Sequence, residues 1–132
     1  LCRGHDLLFV VDASQSLGVL PVDAEEHGVD VVVSVGYKWL MAPHGIGVLY
    51  IAPDAMDRIA PSAPGRYSVT DGWRTVDYAL NWHPDARRYQ GGALNWVGVC
   101  ALAESAGLLD EIGLERITTS ARAVSDRIVA GR

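Results

Sequence analysis

The sequence lacks most of the features that mark nucleic-acid-binding, membrane or disulfide-stabilised proteins. Its net charge is −5 over 132 residues and no basic cluster is longer than Arg87-Arg88, which disfavours nucleic-acid binding. No apolar run approaches the roughly 18 residues that span a bilayer, and no signal peptide is visible. The two cysteines, Cys2 and Cys100, form no CxxC pair. We therefore expect a cytoplasmic protein without a membrane partner.

Nucleotide-binding motifs and internal repeats are also missing. Neither a GxGxxG nor a GxxxxGK[ST] motif occurs, so no motif supports nucleotide binding. The length of 132 residues and an apolar content of 49% fit one domain or part of one. Because the chain begins with Leu1 and stops within a helical pattern, we expect it to be a piece of a longer protein.

Three short apolar runs predict strands. Residues 7–11 and Val31–Val35 are continuous runs rather than alternating ones, as in parallel strands that are covered on both faces. Gly47–Ile51 predicts a third strand, and residues 22–28 predict a short, capped helix between the first two. The order predicts an α/β fold whose sheet is mostly parallel, is flanked by helices and contains a βαβ unit.

The second half of the chain predicts a long excursion followed by two helices. Residues 52–95 have weak periodicity and many turn residues, but aromatic side chains interrupt them, which favours a functional excursion over a linker; among these are Tyr67, Trp73, Tyr78 and Trp82. Apolar spacings of three and four then predict one helix from Val99 to Leu109, ending near Gly113, and another from Ile117 to Ile128. We expect Cys100 to be buried in the first of these helices.

Lys38 occupies an unusual place for a lysine. It lies just beyond a valine-rich run, between Tyr37 and Trp39, and a Pro/Gly turn follows it. Asp12 and Gln15 follow the end of another apolar run. A carboxylate can keep a pyridine nitrogen protonated, an amide can contact the ring hydroxyl, and a partly desolvated lysine amine can bond covalently to an aldehyde. This set predicts a site for pyridoxal 5′-phosphate (PLP).

The phosphate of such a cofactor needs hydrogen-bond donors near the lysine. Ser34, Tyr37 and His44 are the nearest candidates. Taken singly, each residue of the site has a simpler interpretation, because an Asp after a strand is commonly a cap and a Lys there commonly lies on the surface. The occurrence of Asp12, Gln15 and Lys38 in order, each at a strand end, favours the cofactor site.

At three places the sequence resembles the class V aminotransferase family of fold-type I PLP enzymes, which includes cysteine desulfurases, kynureninase and isopenicillin N epimerase-like proteins. The resemblance lies in residues 11–18, 36–50 and 88–95. It implies that residues 1–113 are a segment of the large, PLP-binding domain. Residues 114–132 would start the helix that leads toward a small C-terminal domain.

The resemblance also implies roles for individual residues. Asp12 would pair with the pyridine nitrogen, Gln15 would contact the ring hydroxyl, and Lys38 would carry the Schiff base and shuttle protons. Tyr37 resembles the kynureninase pattern, in which this tyrosine contacts the phosphate, whereas desulfurases usually have His there. Ala93 replaces a threonine whose hydroxyl, in relatives, reaches the phosphate across the dimer interface.

The resemblance implies a PLP-dependent enzyme that acts on an amino-acid substrate through Lys38, as a transaminase or in an epimerase-like reaction. A cysteine desulfurase or lyase of the same family is the alternative, and a non-catalytic α/β domain that keeps the fold for assembly is a further one. The full-length protein would be a cytoplasmic homodimer without a metal site. The phosphate-binding loop and the arginine for the substrate carboxylate would lie outside this chain, so the chain alone is expected to be inactive.

Overall fold

The computed structural model describes residues 1–74 and 79–131 of the chain. Tyr78 of the predicted excursion and Arg132 of the predicted segment 114–132 lie outside the described residues. The described chain contains three strands, two α-helices and three short 3-10 helices, and the α/β class is confirmed. The strands and α-helices are β1 (Val10–Asp12), β2 (Val31–Val35), β3 (Gly47–Ile51), α1 (Trp96–Ile112) and α2 (Leu114–Val129).

The three described strands form one mixed sheet in the order β1-β2-β3. β1 and β2 are parallel, with Asp12 opposite Val33, whereas β2 and β3 are antiparallel, with Val35 opposite Gly47. The sequence predicts a mostly parallel sheet, and β3 departs from that prediction. The physical reason is the short connection over residues 36–46, because a parallel crossover needs a dozen or more residues and usually a helix.

β1 is shorter than the predicted strand over residues 7–11. The Phe9 N–H donates to the Oδ2 atom of buried Asp30 at 2.7 Å, and the Phe9 carbonyl accepts the N–H groups of Asp30 and Val31 at 2.9 and 3.2 Å. The Asp30 carboxylate thus takes the Phe9 N–H, which a longer strand would pair with a backbone carbonyl of its neighbour. The strand therefore begins at Val10.

The predicted helix over residues 22–28 is a single capped turn. The Asp23 carboxylate accepts the N–H of Glu26 at 2.8 Å, and Gly28, with φ 62°, ends the turn. Both caps lie within the predicted segment 22–28. The few residues between them are too short a segment to propagate a helix after its costly first turn.

Each face of β2 packs against its own small apolar cluster, because side chains alternate between the faces of a strand. The members of the two clusters are Ala13, Val29 and Val32 on one face, and Val31, Ile51 and Ala55 on the other. This double coverage explains why the valine run is continuous rather than alternating. β1 forms the edge of the described sheet, and Val10 on it is 57% exposed.

The two predicted helices are confirmed, and both extend beyond the predicted bounds. α1 ends at Gly113, whose φ is 86°, and α2 begins directly after it. α1 buries only Gly98, so Cys100 on the same helix is exposed, and the expectation of a buried cysteine is wrong. Among residues 1–74 and 79–131, no helix has the length and apolarity that a membrane crossing requires.

Gly18 allows the segment after β1 to approach the turn after β2. Its φ is 100°, and a Cβ atom at this position would lie 2.7 Å from the carbonyl oxygen of Trp39. Both the backbone conformation and the short separation require glycine. The approach holds the residues after Asp12 against the turn that contains Lys38.

We predict that Gly18→Ala lowers the free energy of unfolding by about 1–3 kcal/mol, because the new methyl group would push the Trp39 backbone away and strain the left-handed conformation. Urea unfolding of the full-length protein measures the change. Gly107→Ala is the matched control, because a Cβ atom there meets no atom within 4 Å and alanine favours the helix. Equal stabilities of the two variants would contradict the close approach.

Candidate functional site

Asp12 and Lys38 lie at the same edge of the sheet. Asp12 is the last residue of β1, and Lys38 lies in the turn that follows β2. The carboxyl ends of parallel strands share one edge, which is where open α/β sheets bind ligands. Lys38 is half-buried, and its positive charge acts on the Asp12 carboxylate. The structure therefore places these two predicted site residues at one edge of the sheet.

Asp12 is exposed but held in place. The backbone N–H of Ser14 donates to the carboxylate at 2.9 Å, and the side chain and backbone of Ser14 are the main reason why the pKa of Asp12 lies below its usual value. Desolvation opposes this shift in the pKa, and the positive charge of Lys38 adds a smaller lowering effect. Asp12 is therefore ionised at neutral pH.

Gln15 lies on the loop that follows β1 and is exposed. It lines a groove with Val19, Leu20 and Trp39. Trp39 directly follows Lys38 in the sequence. Within the described ranges, the Gln15 side chain forms no hydrogen bond, so its amide has no partner inside this part of the chain.

The turn that contains Lys38 is closed by backbone hydrogen bonds. The Gly36 N–H donates to the Ile46 carbonyl at 2.9 Å, and the Met41 N–H donates to the Lys38 carbonyl at 2.9 Å. Met41 has φ 55°, which is uncommon for a residue with a side chain. These constraints fix the backbone from which the Lys38 amine extends.

The three predicted phosphate ligands divide into a pair and a separate residue. The rings of Tyr37 and His44 stack with centroids 4.3 Å apart and an interplanar angle of 21°, and both residues are exposed. Ser34 is buried within β2, where its hydroxyl donates to the Val35 carbonyl at 3.2 Å. The phosphate roles of all three stay predictions. To bind a phosphate, the Ser34 hydroxyl would first have to break its hydrogen bond to the Val35 carbonyl.

A buried serine that the sequence does not single out stabilises the end of the excursion. Ser68 is fully buried, and its hydroxyl donates to the Gln90 carbonyl at 3.0 Å and accepts the Gly65 N–H at 2.9 Å. These bonds hold the chain just before α1. Ala93 lies exposed in this last stretch, and its consequence for a contact across a dimer stays a prediction.

Asn95 connects α1 to the Lys38 turn. Its Oδ1 atom accepts the Gly98 N–H at 3.0 Å and caps the helix, while its Nδ2 atom donates to the Gly45 carbonyl at 3.3 Å. The sequence shows only that Asn95 suits the turn before the helix. An asparagine directly before a helical pattern is a capping signal, but nothing in the pattern shows the bond to Gly45.

The family model described as "Aminotransferase class-V" matches residues 1–131. The chain belongs to the class V aminotransferase family, which confirms the resemblance seen in its motifs. The match extends over both the cofactor-site segments and the two helices.

Similar proteins include cysteine desulfurases and an aminotransferase. A probable cysteine desulfurase from Pyrococcus abyssi is 33% identical over 131 residues, which are 99% of this chain and 32% of that protein. The uncharacterized aminotransferase YcbU from Bacillus subtilis is 37% identical over 118 residues, which are 87% of this chain and 30% of that protein. The chain thus spans about a third of the length of these curated relatives.

Solved structures of the same kind superpose on the chain. The apo cysteine desulfurase from Thermococcus onnurineus NA1 matches with a TM-score of 0.85 and 31% identity, over 98% of this chain and 32% of that one. A lysine mutant of C-DES with glycine covalently linked to its PLP cofactor matches with a TM-score of 0.74 and 28% identity, over 85% of this chain and 30% of that one.

Two substitutions of Asn95 separate its two bonds. Asn95→Ala removes both, and we predict a loss of about 1 kcal/mol in the free energy of unfolding of the full-length protein. Asn95→Asp keeps the acceptor for the Gly98 N–H but loses the donor to Gly45. Its free energy of unfolding should therefore return toward the wild-type value. Amide hydrogen exchange in the 43–47 turn should stay faster than in the wild type. Wild-type exchange in Asn95→Asp would show that the bond to Gly45 does not hold the turn.

Proposed function

We propose that the full-length protein is a PLP-dependent enzyme that acts on an amino acid and attaches its cofactor to Lys38. The observation that carries this proposal is the placement of Lys38 and Asp12 at the shared edge of β1 and β2. When bound, PLP supplies an electron sink for negative charge at the substrate carbon. The family membership of the chain supports the same cofactor.

The residues present fit this group. Asp12 stays ionised and can accept a hydrogen bond from a protonated pyridine nitrogen. The free amide of Gln15 can contact the ring hydroxyl, and the exposed, stacked pair of Tyr37 and His44 offers donors to a phosphate. Lys38 would hold the cofactor and move protons at the substrate α-carbon.

Cleavage of a carbon–sulfur bond in a cysteine-type substrate is the reaction that we favour, instead of the transamination or epimerisation that the sequence favours. Its support is the probable cysteine desulfurase at 33% identity over nearly the whole chain, together with the desulfurase structure at TM-score 0.85. Transamination is the second candidate, supported by the 37% identity to YcbU and by Tyr37, where a histidine is usual in desulfurases.

A non-catalytic domain kept only for assembly is disfavoured, because Asp12, Gln15 and Lys38 are all present and the first and last lie at the same edge of the sheet. We further propose that the full-length protein is a cytoplasmic homodimer with a small amino-acid substrate and without a nucleic-acid partner. The net charge of −5 supports the last point.

Replacement of Lys38 tests the cofactor assignment. We expect the full-length protein with PLP to show an absorbance band near the visible edge that borohydride removes, and we expect Lys38→Ala to lack it. Lys38→Arg is the matched variant, because it keeps a positive charge beside Asp12 but cannot bond to the aldehyde. A band of wild-type intensity in either variant would overturn the assignment.

Product analysis separates the two reactions. Given L-cysteine and a thiol reductant, a desulfurase forms alanine and sulfide in equal amounts without any 2-oxo acid. A transaminase instead converts a 2-oxo acid into a new amino acid and forms product only when both substrates are present. We expect the first pattern, and strict dependence on a 2-oxo acid would favour the second candidate.

A further inference from the structure

Ser14 lies between Asp12 and the strand that leads to Lys38. Its backbone N–H donates to the Oδ1 atom of Asp12 at 2.9 Å, and its Oγ atom accepts the N–H of Val35, the last residue of β2, at 3.3 Å. The Ser14 side chain also lowers the pKa of the Asp12 carboxyl. One small side chain therefore contacts both the carboxylate and the end of the neighbouring strand.

The direction of both side-chain bonds is fixed by the donors available. A serine hydroxyl has one proton and two lone pairs, whereas an ionised carboxylate can only accept. Val35 supplies an N–H, so the Ser14 oxygen accepts from Val35 and its own proton is left for Asp12. By donating that proton, Ser14 can link the β2 backbone to the carboxylate.

We propose that Ser14 is a positioning residue that aims the Asp12 carboxylate at the cofactor ring and couples it to the end of β2, from which the Lys38 turn begins. This inference rests on the proposed PLP function. Ser14 does not itself contact the cofactor in this account, and it acts through Asp12.

The charge state of Asp12 agrees with this role. The Ser14 side-chain and backbone hydrogen bonds are the two largest reasons for the lowered pKa of Asp12, ahead of the charge of Lys38. Without the Ser14 hydroxyl, Asp12 would keep the backbone bond and Lys38, but the Val35 N–H would lose its acceptor.

The test uses the full-length protein with PLP carrying nitrogen-15 in its ring. We expect Ser14→Ala to weaken PLP binding roughly two- to tenfold, the range expected for one lost hydrogen bond, and to move the ring nitrogen-15 NMR signal toward that of unprotonated pyridine. Ser14→Thr keeps a hydroxyl and should restore both readouts. A merely structural serine would change the melting temperature but not the nitrogen-15 signal.

Ser16→Ala is the matched control, because the Ser16 hydroxyl donates to the Ala13 carbonyl at 3.4 Å and not to Asp12. It should leave both readouts unchanged. If Ser14→Ala does not fold, Ser14→Cys serves instead, with a smaller change in the same direction because a thiol is a weak donor. Wild-type PLP binding and a wild-type nitrogen-15 signal in Ser14→Ala, or in Ser14→Cys if Ser14→Ala does not fold, would overturn only the role of Ser14. A wild-type protein that binds no PLP would overturn both the proposed function and this inference.

Discussion

The parallel pairing of β1 with β2 is the constraint on which the site depends. It places the end of β1, with Asp12, at the same edge as the turn that contains Lys38. A shift of the register by one residue would turn Asp12 toward the opposite face of the sheet. The continuous valine run of β2 is covered by a buried apolar cluster on each face. This coverage fixes the register, because a shifted strand would take side chains out of these clusters.

Several weak local contacts hold the loop after β1 and the turn after β2 at this edge. Gly18 leaves room for the Trp39 backbone, Asn95 at the start of α1 hydrogen-bonds to Gly45, and Ser14 links Asp12 to the end of β2. Each is a single contact of modest energy. Together they connect three segments that are distant in sequence, so the position of the lysine does not depend on any one loop alone.

The sequence predicts the parts of this structure that follow from local patterns. The valine run matches β2 residue for residue, and the apolar spacing predicts α1 and α2, because periodicity reports directly which faces are buried. The antiparallel direction of β3 follows from the short connection before it, and the single turn after Asp23 follows from the small number of residues between its caps. The apolar pattern does not take these lengths into account. The exposure of Cys100 depends on what packs against α1, which no local pattern shows. Asp12 and Lys38 are recognisable as a pair from their strand-end positions, whereas the bonds of Ser14 and Asn95 appear only once the segments are folded together.

The most direct test of the central claim is the site at which the cofactor is attached. Lys38 is the only lysine among the 132 residues, and it lies between Arg3 and Arg58 with no other tryptic site between them. If the full-length protein is reduced with borohydride and digested with trypsin, the account predicts one uncleaved peptide of residues 4–58 that carries the reduced cofactor. Recovery of unmodified peptides 4–38 and 39–58, with the label on another part of the protein, would contradict it.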